Sequence, residues 1–212
     1  MYIDQVLYPV ESLGPGKRIG IWTVGCHRKC PGCSNPELWS IDGHNPISVV
    51  DLIHVISEIC EDNQVDGFTI SGGEPMNQAE ELLNLVENLS EINPDILLFS
   101  GYSYESLMMN ESTAAVLDFV AVLVDGEYIQ EKNECLVLRG SSNQRILLFE
   151  PDLESKYMDY LEIGKNNIQN IHFADETISI GIHERSFQDD IAQKLREYGI
   201  RSVEHGRDEV AQ

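Results

Sequence analysis

Three of the five cysteines, Cys26, Cys30 and Cys33, crowd into one short stretch, GCHRKCPGCSNPELW over residues 25–39. Their spacing, i, i+4 and i+7, would fit one face of a helix. The residues around them argue against one. Gly25 ahead of them, Pro31 and Gly32 among them and Pro36 behind them break helices and favour a loop folded back on itself. A loop that turns three thiolates inward suits an iron–sulfur cluster or a soft metal. Local spacing leaves alternatives open: His27 could complete a zinc site, or Cys60 or Cys135 could bring a fourth ligand from afar.

The number of ligands narrows the chemistry. A structural zinc site is closed by four protein ligands, and an electron-transfer cluster of four irons takes four cysteines. Three thiolates leave one iron open to a small molecule. CxxxCxxC resembles the signature of the radical S-adenosylmethionine (SAM) enzymes. That resemblance implies a [4Fe-4S] cluster held by Cys26, Cys30 and Cys33, with SAM chelated to the open iron through its amino and carboxylate groups. It also implies reductive cleavage of SAM to methionine and a 5′-deoxyadenosyl radical.

Composition sets outer bounds. A chain of 212 residues has room for one substantial core and a small appendage, and 42% hydrophobic with 24% charged residues is ordinary for a globular protein. No long apolar run and no basic, apolar leader is apparent, and an odd cysteine count with three clustered does not suit a disulfide framework; a cytoplasmic setting is expected. The net charge of −22 repels phosphate backbones and anionic lipid, so neither nucleic acid nor a membrane surface is expected as a partner.

Along the chain, Tyr8-Pro9-Val10 reads as a short edge segment and residues 14–18, GPGKR, as a turn. An apolar run over 19–24 suits a buried strand that delivers the cysteine loop at its C-terminal end, where parallel α/β sheets keep their sites. Residues 47–60 place Val50, Ile53, Ile56 and Ile59 at helical spacing behind Ser48 as N-cap, with Cys60 a packed thiol at the end. A second strand over 67–70 runs into Ser71-Gly72-Gly73-Glu74-Pro75, and a helix follows over 78–89. A third strand over 95–99 ends at Ser100-Gly101-Tyr102. Residues 104–117 then read as one helix, and 119–124 as a fourth strand closed by Asp125-Gly126. This repetition predicts parallel strands whose C-terminal ends lie together. Asp125 at such an end could accept a hydrogen bond from a ribose hydroxyl, or simply turn the chain. From 150 onward the pattern changes, to one helix within 151–170, a strand over 177–182 and a helix over 187–198 with Gly199 as its C-cap, then a frayed acidic end over 203–212.

Taken in order, YPV, GPGKR, GCHRKCPGCSNPELW, SGGEP, FSGYSYESL, VLVDGEY and LRGSSNQ resemble the activating enzymes of anaerobic class III ribonucleotide reductase, over roughly residues 5–148. The resemblance implies an α/β fold, an incomplete TIM-like radical SAM barrel over 1–149, here followed by a small α+β appendage over 150–212. Gly72, Gly73 and Glu74 would line the methionyl end of SAM, Gly101 and Tyr102 would wall its pocket, and Asp125 would face the ribose. Arg139, Ser141 and Asn143, with Ser142, would meet the adenosine or the incoming substrate backbone. The radical would take hydrogen from a glycine of a partner such as anaerobic ribonucleotide reductase, with flavodoxin or ferredoxin as electron donor. The appendage departs from this family; it would select a different partner, cover the site or cap an exposed sheet edge. Two other readings compete: a radical SAM enzyme acting on a peptide or a small molecule such as a deazapurine precursor, and a metal-binding or redox module that never binds SAM.

Overall fold

The computed structural model describes residues 1–162, 167–172 and 177–197. At its centre is a six-stranded sheet in the order β1-β2-β3-β4-β5-β6. The strands are β1 (Ile3–Val10), β2 (Arg18–Thr23), β3 (Gly67–Gly72), β4 (Ile96–Ser100), β5 (Val122–Asp125) and β6 (Arg145–Leu148). β2 to β5 are parallel, as the strand and helix repetition predicts, and the two outer strands run antiparallel to their neighbours. Helices α1 (Val49–Asp62) and α2 (Ala79–Ile92) make the first two crossovers, and α3 (Tyr104–Leu107) with α4 (Glu111–Leu117) makes the third.

Strand alternation sorts the core into two faces. Ile19 and Ile21 of β2, Phe68 and Ile70 of β3, Ile96 and Leu98 of β4 and Leu123 of β5 pack against Leu52 and Ile56 of α1, Leu82, Leu85 and Leu89 of α2 and Val116 of α4. Residues of the opposite parity, Trp22, Leu97, Val122 and Val124, form the other face. The appendage covers it. Helix α5 (Glu154–Glu162) sets Tyr157, Tyr160 and Leu161 against Leu97, Val122 and Val124. The hairpin of β7 (Gln169–His172) and β8 (Thr177–Ile180) sets Ile171, Ile178 and Ile180 against Val10, Trp22, Val24 and Leu38. The Gln169 side chain also grips the β1 edge, donating to Pro9 O at 2.7 Å and accepting from Glu11 N at 3.0 Å. The appendage thus covers a face of the sheet as well as its edge, and α6 (Phe187–Glu197) follows it.

A closed polar network sits at the N-terminal end of the parallel strands. Arg18 is fully buried, although GPGKR reads as a turn. Its Nε donates to Thr69 Oγ1 at 2.8 Å, Nη1 to Pro15 O, and Nη2 to Phe68 O, Asp95 O and Asp95 Oδ1. Lys156 and Tyr157 of α5 complete the network, each donating to Asp95 at 2.6 Å.

Several expectations need correction. Ser48 caps α1 as read, accepting from Asp51 N at 3.0 Å, but Val49, Leu52 and Ile56 are its buried residues while Val50 is 77% exposed. The helix expected over 104–117 is two, because the Asn110 side chain accepts from Ser112 N and Thr113 N and so starts α4 as a cap. β1 is a full strand where only a short edge segment was expected, and β5 begins at Val122, later than residue 119. The helix expected within 151–170 ends at Glu162, and β7 occupies part of that range. Ile163, Tyr198, Gly199 and residues 203–212 lie outside the described residues. Among the described residues no helix is long and apolar enough to cross a membrane.

Candidate functional site

β2 carries the chain over the C-terminal edge of the sheet into the cysteine loop. Gly25 N donates to Leu38 O at 2.8 Å and Cys26 N to Trp39 O at 3.0 Å, so the loop closes on a 3-10 turn over Pro36–Trp39. Cys26 and Cys30 are buried, Cys33 is half-buried, and no disulfide joins them. Burial pushes the Cys30 thiol up, Glu127 adds to the shift and Arg28 opposes it. Burial also raises Cys33, against the N–H groups of Asn35 and Trp39, and the charges of Cys26 and Cys30 add to the rise. The Cys33 sulfur therefore feels both of the others within one loop.

The alternative ligands are not gathered with the three sulfurs among the described residues. His27 is exposed. Cys60 packs on the helix-side core, and Cys135 lines a cavity with Ile168, Ile182, His183 and Phe187. Among the described residues no three His, Cys, Asp or Glu side chains are grouped to hold a metal ion. A single ion needs its thiolates about 2.3 Å from one point, whereas a cluster takes each thiolate on a different iron. A loop bearing three thiols, with no fourth cysteine gathered to it among the described residues, has the donor set of the second case.

The loops after the four parallel strands form a ring. Glu74 N donates to Gly25 O at 2.9 Å and Gly73 N to Thr23 O at 2.7 Å, locking the glycine loop after β3 to the cysteine loop. A Cβ on Gly73 would lie 2.6 Å from Gly25 O and 2.9 Å from Leu38 O, so only glycine allows that approach. The buried Glu74 carboxylate accepts from Ser100 Oγ at 2.9 Å and Met76 N at 3.1 Å through Oε1, and from Gly101 N at 2.7 Å through Oε2. Burial pushes its carboxyl up against those hydrogen bonds. Gly126 N donates to Tyr102 O at 3.1 Å. Glu127 closes the ring, with Oε1 4.0 Å from Cys30 Sγ and Oε2 3.3 Å from Arg28.

The remaining residues singled out in the sequence hold the loop after β5 in shape. Asp125 is buried, with Oδ1 accepting from Arg145 Nε at 2.9 Å and Oδ2 from Tyr104 N at 2.7 Å and from Arg145. Ser141 Oγ accepts from Ile129 N at 3.1 Å, Asn143 Nδ2 donates to Glu127 O at 2.8 Å, and Arg139 donates to Gln144 O at 3.4 Å. Gly72 belongs to β3 itself. Arg28, Glu127, Ser100 and Arg145 were not anticipated. Arg28 and Glu127 carried a faint signal, as charges inside a cysteine loop and just past a strand-ending Asp-Gly.

Buried polar atoms around the ring are left without a hydrogen-bond partner: Arg28 Nε, Asn77 Nδ2, Arg139 Nε and Asn143 Oδ1. Buried polar groups are normally paired, so atoms left over beside a glycine-lined loop suit a polar ligand.

Residues 12–147 match the family of 4Fe-4S single cluster domains. The anaerobic ribonucleoside-triphosphate reductase-activating protein of Escherichia coli is 34% identical over 145 residues, 65% of this chain and 92% of that protein. Its namesake from Vibrio cholerae is 36% identical over 150 residues, 67% of this chain and 95% of the relative. The one from Haemophilus influenzae is 33% identical over 151 residues, 68% and 96%. With the cysteine loop, the glycine loop and the ring between them all inside the matched span, the chain belongs to the family of anaerobic ribonucleoside-triphosphate reductase-activating proteins.

Proposed function

We propose that this chain is a radical SAM activase whose partner is a glycyl-radical enzyme, anaerobic ribonucleoside-triphosphate reductase. Cys26, Cys30 and Cys33 would hold a [4Fe-4S] cluster, and SAM would lie between it and the ring of loops. When bound, the cluster and SAM supply reductive cleavage to a 5′-deoxyadenosyl radical, which takes a hydrogen atom from the partner's glycine. The chain's own groups bind and shield. Gly72, Gly73 and Glu74 line the methionyl end, with Gly73 letting the backbone approach and Glu74 tying that loop to Gly101. Tyr102 walls the pocket, Asp125 lies on the ribose side with its carboxylate steadied by Arg145, and Arg139, Ser141 and Asn143 shape the loop toward adenosine or the incoming glycine segment.

The observation that carries this reading is the ring itself: hydrogen bonds and an ion pair join Gly25, Glu74, Gly101, Tyr102, Gly126 and Glu127 back to the cysteine loop. The sheet is read as part of an incomplete TIM-like barrel, with 1–149 as the radical SAM core and 150–212 as an extension. A flavodoxin or ferredoxin would deliver the electron in the cytoplasm, and the net charge of −22 disfavours nucleic acid.

The test is anaerobic. After iron and sulfide reconstitution and reduction, the protein should yield 5′-deoxyadenosine from SAM, and Cys30→Ala should abolish it. Mixed with anaerobic ribonucleoside-triphosphate reductase, it should give a glycyl radical doublet by electron paramagnetic resonance. Cleavage that survives Cys30→Ala, or cleavage without a glycyl signal, would count against the cluster or the partner respectively.

A further inference from the structure

His27 and Lys29 of the cysteine loop are exposed, whereas Arg28 between them is turned inward. Its guanidinium carbon lies 5.0 Å from the centroid of the Tyr102 ring. A Cβ on Gly101 would come within 2.5 Å of Arg28 Cδ, so the bare glycine makes room for the side chain. Its ion-pair partner, Glu127, is half exposed at 3.3 Å, an arrangement of small worth. Nε is buried with no hydrogen-bond partner. Glu74 is close by, but its oxygens already answer Met76, Ser100 and Gly101. The guanidinium also hydrogen-bonds the Cys30 thiol, while Nε itself stays without a partner.

A planar fork with a buried donor to spare is matched by a carboxylate, which takes two parallel N–H bonds. The surroundings make a cation necessary for such a ligand. The chain carries a net charge of −22, and Glu74 and Glu127 both stand beside Arg28. Arg145 is committed to Asp125 and Glu105; Arg139 donates into its own turn at Gln144 O, and because its Nε is likewise buried and unpaired it is the competing candidate that the experiment includes. Resting on the proposed function, we infer that Arg28 is the residue that receives the carboxylate of SAM, exchanging its weak pairing with Glu127 for that of the cofactor.

The experiment measures binding, separately from turnover. Reconstituted wild-type protein, Arg28→Ala, Arg28→Lys and Arg139→Ala are compared by anaerobic equilibrium dialysis with SAM and with decarboxylated SAM, alongside iron content. Arg28→Ala should weaken SAM binding about ten- to a hundredfold, the worth of a charge-assisted hydrogen bond. The same substitution should change affinity for decarboxylated SAM less than about threefold, and Arg28→Lys should recover part of the loss. Should Arg28→Ala lose iron, Arg28→Gln, which keeps polar bulk without the charge, replaces it. Equal losses for both ligands, wild-type affinity for SAM in Arg28→Ala, or the carboxylate-dependent loss appearing in Arg139→Ala would overturn the inference while leaving the activase reading intact. A wild-type protein that holds its cluster yet binds no SAM would overturn both.

Discussion

The two ends of the parallel strands each set an arginine near carboxylates, and they treat it in opposite ways. At the N-terminal end Arg18 donates from Nε, Nη1 and Nη2, and Asp95 is answered by Arg18, Lys156 and Tyr157. At the C-terminal end Arg28 pairs with one half-exposed carboxylate and the Cys30 thiol and keeps a buried Nε unpaired. Polarity that closes on itself stabilises the fold, and polarity left open is available to a ligand. Charge removal should therefore cost stability at the first end and binding at the second.

The largest effect is expected from Asp95→Asn, which leaves the Arg18 cation buried without its counter-charge. Urea unfolding should register a loss of about 3–5 kcal/mol, with SAM affinity of the folded fraction unchanged; a loss below about 1 kcal/mol would break the contrast. Ile180→Ala in the hairpin should cost about 2–4 kcal/mol in one transition shared with the core, because Ile180 is buried against Val10, Trp22 and Val24. A separate early transition would show the extension to be an independent unit.

The same network predicts a pH profile. Burial pushes the Asp95 carboxyl up, but the Arg18 charge and the hydrogen bonds from Arg18, Lys156 and Tyr157 outweigh it and hold it below its ordinary 3.8. A depressed native pKa gives stability that is complete above the unfolded value and lost as pH falls through the native one. The advantage of wild type over Asp95→Asn should stay level from pH 7 to about 5 and shrink only below about pH 4. A decline centred near pH 6 would point to another group. Lys156→Met, at the rim of the network, should cost about 1 kcal/mol. Smallest of all, Glu127→Gln should shift stability by less than about 0.5 kcal/mol, since its pair with Arg28 is half exposed.

What could be read in advance follows the reach of local chemistry. Helix α1 and its Ser48 cap, the parallel strands and the cysteine and glycine loops were legible because cap, period and breaker residues lie within a few positions of one another. The break at Asn110 was missed because an asparagine inside an apolar period gives no sign that its side chain will cap the next helix. Arg18 looked like a turn residue because Thr69 and Asp95, its partners, are far away along the chain. Glu127 was overlooked for the same reason, its neighbours Arg28 and Cys30 lying on another loop.

The amino-acid sequence by itself determined the chemistry on offer: three thiols in a loop that cannot be a helix, and glycine loops that end successive strands. The tertiary structure alone decided that those loops join in a ring, that one arginine is answered and the other left open, and that the extension covers a face of the sheet. Donor type and backbone freedom belong to single residues and their neighbours, while pairing between distant residues exists only once the sheet has brought its strand ends together.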